Sequence, residues 1–292
     1  MRSTVATTPA NGLEIAYETF GSSSDPPILL IHGLATQMLG WPDPLCSDLA
    51  DQSYYVVRFD NRDVGLSTHL TDAPPVDLQA LLGGDHSSAP YRLSDMGRDT
   101  VGLIDGLGLD SAHLVGASMG GTIAQTVAIE HPERVRTLTS IMSTTGNPAV
   151  GQPSGAAMAA LLAPPATDRE GAIERTLQAY RVVGSPGFPF DEDGLRDRTG
   201  RAFDRAHDPP GVIRQLAAVA ASGDRTERLR DVRVPTLVIH GREDPLAHVS
   251  GGEATAEAIP DAELVIYDGM GHDLPRALWP DLIDRIRRLC ER

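Results

Sequence analysis

The chain has 292 residues, 41% of them hydrophobic, which suits one large globular domain or a core that carries a modest insertion. Its formal net charge is -15, and it contains no lysine, so every basic residue is arginine or histidine. An acidic surface of this kind repels nucleic acid and anionic membranes, so we expect neither as the main partner.

The N-terminal segment 1–12 lacks the apolar run of a signal peptide, and no stretch approaches the roughly 18 apolar residues that span a bilayer. Cys46 and Cys290 lie far apart and match no metal-ligand or redox spacing. We therefore expect a cytoplasmic protein with two reduced thiols, no metal site and no cofactor.

Short apolar runs alternate with longer amphipathic segments, which predicts a largely parallel sheet wrapped by helices. Residues 13–20 alternate apolar and polar, as an early antiparallel strand does, whereas residues 28–31 are continuously apolar, as in a strand buried on both faces. Further strands are predicted at residues 54–59, 113–115, 138–142, 236–239 and 264–267. Helices are predicted at about residues 44–50, 94–107, 119–131, 252–259 and 280–290.

The alternation of strands and helices breaks between residues 147 and 231. Two helical patterns occur there, at residues 169–183 and 211–221, separated by the break GSPGFPF, and no buried strand is evident. We therefore predict a core of residues 1–146 and 232–292, with residues 147–231 inserted as a helical cap, or lid, over the carboxyl ends of the strands. Residues 72–90 are interpreted as a loop region.

The motif HLVGASMGG (residues 113–121) places G-x-S-x-G between a predicted buried strand and a predicted helix. A strand that turns this sharply into a helix holds Ser118 in a strained conformation, so Gly116 and Gly120 must be small. The turn exposes the serine hydroxyl and points the Met119 N–H toward a developing oxyanion. This setting predicts that Ser118 is a nucleophile.

The apolar run ILLI ends in His32, Gly33 and Leu34, about 85 residues before Ser118. A backbone N–H after such a glycine completes an oxyanion hole, and Leu34 is the predicted donor. His32 is predicted to structure this loop, and His32 and Gly33 are also candidates for lining a substrate pocket.

A serine hydroxyl is a weak nucleophile until a neighbouring imidazole takes its proton. His272 is the predicted base, because it follows the apolar run LVIY in the loop DGMGH, whose glycines allow a tight turn back over the sheet. The carboxylate that orients it is predicted to be Asp244, which follows TLVIHG, with Glu243 as the near competitor. His240 is interpreted as a structural residue.

With these residues in place, the chain resembles the α/β-hydrolase fold family from about residue 13 to its end. The motifs that carry the resemblance are HGL at 32–34, FDNRDVGLS at 59–67, GASMGG at 116–121, HGREDP at 240–245 and DGMGHDLP at 268–275. The resemblance implies a mostly parallel sheet flanked by helices with a helical cap, and a Ser118, Asp244, His272 triad in the family's chain order.

Within that family, GWPDPL (residues 40–45) with RFDNRDVGLST resembles the aclacinomycin methylesterases and related actinobacterial esterases, and the same motifs resemble the macrolide esterases. These resemblances imply a serine esterase acting on a small-molecule ester or lactone, such as a polyketide methyl ester or a macrolactone. One departure is Leu34, where those methylesterases have glycine.

Other activities of the same fold share the triad. A cofactor-free haloperoxidase or perhydrolase, or an acyltransferase, has the same residues, and a non-catalytic ligand receptor also retains them. The inserted segment is rich in small and aliphatic residues, which favours an apolar ligand, but a helical insertion needs the same residues to pack. Its larger candidates for contacting substrate are Tyr180, Phe188 and Phe190.

Two charged clusters are interpreted as structural. Asp60, Arg62 and Asp63 of FDNRDVGLS are predicted to shape a loop beneath the active site. The acidic run from Asp191 to Asp193 is interpreted as a solvated face or as the charges that begin a helix.

Overall fold

The computed structural model describes residues 4–292, so the first three residues of the N-terminal segment lie outside it. Within that range eight strands form one sheet: β1 (Ala6–Ala10), β2 (Leu13–Phe20), β3 (Pro27–Ile31), β4 (Tyr55–Phe59), β5 (Ala112–Ala117), β6 (Val135–Ile141), β7 (Thr236–Gly241) and β8 (Glu263–Tyr267). Their order across the sheet is β1-β2-β4-β3-β5-β6-β7-β8. Strand β2 pairs antiparallel with β1 and β4, and all other pairs are parallel.

The same part of the chain forms eleven α-helices: α1 (Asp43–Ala50), α2 (Leu78–Leu82), α3 (Leu93–Gly106), α4 (Met119–Glu130), α5 (Gly155–Leu161), α6 (Arg169–Val183), α7 (Glu192–Arg205), α8 (Pro209–Ser222), α9 (Thr226–Leu229), α10 (Ser250–Ala258) and α11 (Trp279–Cys290). Helices α5 to α9 follow one another between β6 and β7. We call α5 to α8 the inserted helices.

Hydrophobic side chains cover both faces of the sheet. Successive residues of a strand point to opposite faces, so Leu29 and Ile31 of β3 join a buried cluster with α3 and α4. Ile28 and Leu30 join a second buried cluster with α1 and α11. Because both faces are covered, the parallel strands appear in the sequence as continuous apolar runs.

The seven predicted strands are all present, and the predicted α/β-hydrolase fold is confirmed. Strand β1 was not predicted; it contains Pro9 and pairs only with β2 at the edge of the sheet. Proline cannot donate a ladder hydrogen bond, so it is tolerated at an edge, but a short run that contains it does not look like a strand.

The helical content of the central region was underestimated. Helices α6 and α8 match the two predicted patterns, whereas α2, α5, α7 and α9 were not predicted. Helix α7 has few apolar residues and many charges, so it shows little of the periodicity that marks a helix. Its start matches one interpretation of the acidic run, since the Asp191 carboxylate accepts a hydrogen bond from the Gly194 N–H at 3.1 Å.

Among the described residues, no helix combines the length and the hydropathy needed to cross a membrane.

A buried histidine is expected to make the stability of the fold depend on pH. His113 in β5 is 5% exposed, its Nδ1 lies 2.9 Å from Thr137 Oγ1, and burial lowers its pKa to about 4. In the unfolded chain His113 binds a proton as pH falls below about 6.5, whereas in the folded chain it does so only near pH 4. The free energy of unfolding therefore decreases as pH falls from 6.5 to 4. We expect His113→Asn to flatten the decline by a few kcal/mol, measured by urea unfolding at pH 7, 6 and 5.

The matched control for this experiment is His248→Asn, because His248 is an exposed histidine. Its variant should retain the steep wild-type dependence. An equally steep decline in His113→Asn would remove His113 as the source.

Candidate active site

Ser118 lies between the end of β5 and the start of α4, in a backbone conformation that side chains rarely adopt. Its φ is 56° and its ψ is -123°. The left-handed φ is unfavourable for a residue with a Cβ, and its backbone N–H is held by the Ile141 carbonyl at 2.9 Å. The strained turn predicted from the sequence is therefore present.

The glycines beside Ser118 are required by close backbone approach. A Cβ at Gly116 would clash with the Gly120 carbonyl, and a Cβ at Gly120 would clash with the Ile31 carbonyl of β3. The start of α4 therefore packs directly on the end of β3. This contact brings the loop after β3 to the serine, and a Cβ at Gly33 would lie 3.0 Å from Ser118 Cβ.

Two further side chains meet Ser118 at the carboxyl edge of the sheet. His272 follows β8, and its Nε2 lies 3.0 Å from Ser118 Oγ. Asp244 follows β7, and its Oδ2 lies 2.7 Å from His272 Nδ1. Because an ionised carboxylate only accepts, Nδ1 carries the proton and Nε2 is free to accept from the serine hydroxyl. The structure thus brings Ser118, His272 and Asp244 into one hydrogen-bonded chain.

The Asp244 carboxylate is buried and its orientation is determined by the backbone. Its Oδ1 accepts from the N–H groups of Leu246 and Ala247, both at 2.8 Å, which leaves Oδ2 for His272. Glu243 points elsewhere, with Oε2 accepting from the Gly269 N–H at 2.6 Å. The geometry therefore favours Asp244 over Glu243.

His240 supports the Asp244 loop. Its Nε2 lies 2.7 Å from the Ala247 carbonyl and 3.6 Å from Asp244 Oδ2, and burial lowers its pKa. The neutral ring donates to that carbonyl, which matches the structural interpretation of this residue.

The loop after β3, residues 32–36, contains the predicted oxyanion donor Leu34 and the histidine His32. Among residues 4–292, the N–H groups of Leu34 and Met119 donate to no protein acceptor. His32 Nδ1 accepts from the Gly33 N–H at 2.7 Å, its ring packs edge-on against Trp41, and burial lowers its pKa to about 4. His32 is thus a neutral residue that shapes this loop, as the sequence predicts.

The loop that carries His272 is held by the last residue of α6 and by the segment that follows it. The His272 N–H donates to the Val183 carbonyl at 2.7 Å, and the Gly271 N–H donates to Ser185 Oγ at 2.9 Å. Ser185 in turn donates to the carboxylate of Asp273. These contacts were missed, because the sequence shows GSPGFPF only as a break between two helices.

The candidate pocket residues of the inserted segment have different environments. Tyr180 packs on the Ile173, Leu177 and Leu195 cluster, and burial raises its pKa. Phe188 is half-buried against the second core cluster and against Gly269 of the histidine loop. Phe190 is 40% exposed. The structure therefore brings Phe188 to the loop of the triad and leaves Phe190 at the surface.

The charged residues of FDNRDVGLS, Asp60, Arg62 and Asp63, are buried and paired, as predicted for a structural loop. Asp60 accepts from the Met38 N–H at 2.7 Å and pairs with Arg205 of α7 at 2.8 Å. Arg62 pairs with Asp99 of α3 at 2.6 Å.

Asp63, His69 and Asp208 lie close enough together to hold an ion, with ligand atoms within 4.8 Å of one another. The guanidinium of Arg214 already bonds Asp63 at 2.7 Å and Asp208 at 3.1 Å. A cation is therefore supplied by the chain, and the group ties α8 to the core.

Comparisons with known proteins identify the family of the chain. A family model described as alpha/beta hydrolase fold matches residues 26–179, and one described as serine aminopeptidase S33 matches residues 205–276. The rhodomycin D methylesterase of Streptomyces peucetius is 31% identical over 91% of each chain. A 3-oxoadipate enol-lactonase of Acinetobacter baylyi is 25% identical over 89% of this chain and 86% of its own.

Solved structures show the same fold. The enol-lactonase from Burkholderia xenovorans superposes with a TM-score of 0.73 at 23% identity, covering 98% of this chain and 100% of its own. An esterase from Rhodococcus superposes with a TM-score of 0.74 at 21% identity, covering 99% of both chains. The chain belongs to the alpha/beta hydrolase fold family and is a carboxylic ester hydrolase.

Proposed function

We propose that the protein hydrolyses a carboxylic ester through an acyl-enzyme on Ser118. His272 acts as general base and acid, and Asp244 orients the His272 ring. The observation that carries the proposal is the continuous hydrogen-bonded chain from Ser118 Oγ through the His272 ring to Asp244 Oδ2. Such a chain lets the imidazole take the serine proton as the hydroxyl attacks.

In the first step Ser118 Oγ attacks the ester carbonyl carbon and its proton passes to His272 Nε2. The negative charge that develops on the carbonyl oxygen is stabilised by the N–H groups of Leu34 and Met119, which have no acceptor among the described residues. Collapse of the tetrahedral intermediate breaks the bond to the alcohol oxygen, and His272 gives its proton to the departing alcohol.

In the second step water replaces the alcohol. His272 Nε2 takes a proton from this water as its oxygen attacks the acyl carbon, and the same two N–H groups stabilise the second tetrahedral intermediate. The Ser118 ester bond then breaks, and Oγ recovers its proton from His272. The carboxylic acid leaves, and the enzyme returns to its starting state without a cofactor.

We infer that residues 147–231 act as the cap over this site. The inserted helices contact the core through Asp60 with Arg205 and through Asp63 with Arg214, and the segment after α6 holds the histidine loop. Contacts of this kind support a closed lid. Tyr180 and Phe188 are the cap residues that we propose to contact substrate, together with His32 and Gly33.

We further propose that the substrate is a small-molecule methyl ester or lactone, such as a polyketide methyl ester or a macrolactone. The names of the relatives support both, since one is a methylesterase and another an enol-lactonase. The branched Leu34 side chain beside the oxyanion donor limits the space around the alcohol carbon. A displacement of the carbonyl by about 1 Å costs about 10²-fold in rate, because the oxyanion bonds depend on position.

The test is a panel of polyketide methyl esters, macrolactones and acetate esters of a matched primary, secondary and tertiary alcohol, with products read by mass spectrometry. We expect turnover of a methyl ester or a lactone, and a kcat/KM for the tertiary acetate about 10²-fold below that of the primary one. Equal rates for the tertiary acetate would show that the Leu34 side chain does not crowd the alcohol side of the site. The panel is repeated with an added acceptor alcohol and with added hydrogen peroxide; turnover only with the alcohol would make the reaction acyl transfer, and turnover only with the peroxide would make it perhydrolysis.

A further inference from the structure

A buried glutamine of the inserted helices joins two core loops. Gln215 lies in α8 and is 0% exposed. Its Oε1 accepts from the Ala35 N–H at 3.0 Å, and its Nε2 donates to the Arg62 carbonyl at 2.8 Å. Both polar atoms of the Gln215 amide are therefore hydrogen-bonded, and the oxygen binds Ala35, the residue after Leu34.

The backbone around Leu34 is fixed by side chains as well as by its own turn. Asn61 Nδ2 donates to the His32 carbonyl at 3.1 Å, and the Thr36 N–H donates to the Gly33 carbonyl at 3.3 Å. The Ala35 N–H is the next group along, and Gln215 holds it. Each of the two peptide planes that flank Leu34 is therefore held by one hydrogen bond, at the Gly33 carbonyl and at the Ala35 N–H, while the Leu34 N–H has no acceptor among the described residues.

Ala35 needs such a bond because of its backbone conformation. Its φ is 61°, in the left-handed region that is unfavourable for a residue with a Cβ. A strained residue keeps this conformation only while its surroundings hold it there. Loss of the Gln215 acceptor would let Ala35 relax and turn the adjoining Leu34 peptide.

We propose that Gln215 is a positioning residue for the oxyanion hole: from helix α8 it holds the Ala35 amide so that the Leu34 N–H faces the developing oxyanion. The proposal rests on the assignment of Leu34 and Ser118 made above. It also gives the inserted helices a part in catalysis beyond covering the substrate, because a displaced α8 would release the oxyanion loop.

The experiment compares variants that keep or remove the acceptor for Ala35. Gln215→Met has a similar length and removes both hydrogen bonds, so we expect kcat for p-nitrophenyl acetate to fall about 10- to 100-fold while KM changes by less than about threefold. Gln215→Glu keeps an acceptor for the Ala35 N–H and should restore kcat to within about fivefold of wild type. Gln215→Asn is too short to reach both partners, so it should resemble Gln215→Met and replaces that variant if it does not fold.

The matched control is Gln125→Met. Gln125 in α4 is also 0% exposed, and its Nε2 donates to Ser140 Oγ at 3.1 Å, away from the loop at residues 32–36. Both methionine variants leave buried polar groups without partners, so both should lower Tm. If Gln215 had a purely structural role, the two variants would have similar kcat values. The proposal requires that kcat falls in Gln215→Met and not in Gln125→Met.

Each enzyme is also treated with a fluorophosphonate probe, whose tetrahedral product uses the same oxyanion donors. One probe per chain on Ser118 in the wild type, attached more slowly in Gln215→Met than in Gln125→Met, supports the proposal. Equal labelling rates and equal kcat in these two variants would overturn it while leaving the Ser118 mechanism intact. No labelling of Ser118 in the wild type would overturn both.

Discussion

Ser118→Ala is expected to abolish covalent labelling by a fluorophosphonate and to lower kcat for p-nitrophenyl acetate by about 10⁴- to 10⁶-fold. The hydroxyl that His272 Nε2 approaches at 3.0 Å is then missing, so no acyl-enzyme forms. The fold should persist, because alanine removes a single oxygen and keeps the Cβ that already exists at the left-handed φ of 56°. Intact-mass spectrometry and peptide mapping after labelling measure the result, and circular dichroism checks the fold.

Ser143→Ala is the control for this variant. Within residues 4–292, Ser143 Oγ is a buried hydroxyl with no hydrogen-bond partner, and its side chain lies against Gly121 at the start of α4. The control therefore changes a buried serine near the elbow without touching the triad, and it should keep both labelling and turnover. Probe attached to any serine other than Ser118 would refute the assignment of the nucleophile.

Asp244→Asn is expected to reduce kcat/KM by about 10³-fold or more, with little loss of stability. Asparagine can still offer one oxygen to the N–H groups of Leu246 and Ala247, which Asp244 Oδ1 now accepts at 2.8 Å. Its amide nitrogen then faces His272 Nδ1, so the ring must carry its proton on Nε2 and can no longer accept one from Ser118. The rate is measured with p-nitrophenyl acetate under pseudo-first-order conditions.

The neighbouring acid supplies the control. Glu243→Gln should stay within about tenfold of wild type, because Glu243 Oε2 accepts from the Gly269 N–H at 2.6 Å and a glutamine oxygen can accept the same bond. The opposite ranking of these two variants, with Glu243→Gln the slower, would move the orienting acid by one position.

The sequence by itself determined the elements whose signal is local. Six apolar runs and one alternating segment predict seven strands, and all seven are found. The glycines around Ser118 predict the sharp turn, because the requirement for small residues arises within a few positions of the chain. Asp244 and His272 could be proposed because each follows an apolar run, and the carboxyl ends of parallel strands meet at one edge of the sheet.

Only the tertiary structure decided how the inserted helices bear on that edge. Gln215 is 180 positions from Ala35 in the chain, and Val183 is 89 positions from His272. Neither position carries a motif, since a single hydrogen bond between distant residues leaves no periodicity and no spacing to read. Helix α7 was not predicted for a related reason: it is anchored by ion pairs to distant residues, as Arg205 is to buried Asp60. Local patterns specify where a strand turns, whereas long-range hydrogen bonds, which depend on the packed fold, decide what holds the oxyanion and histidine loops in place.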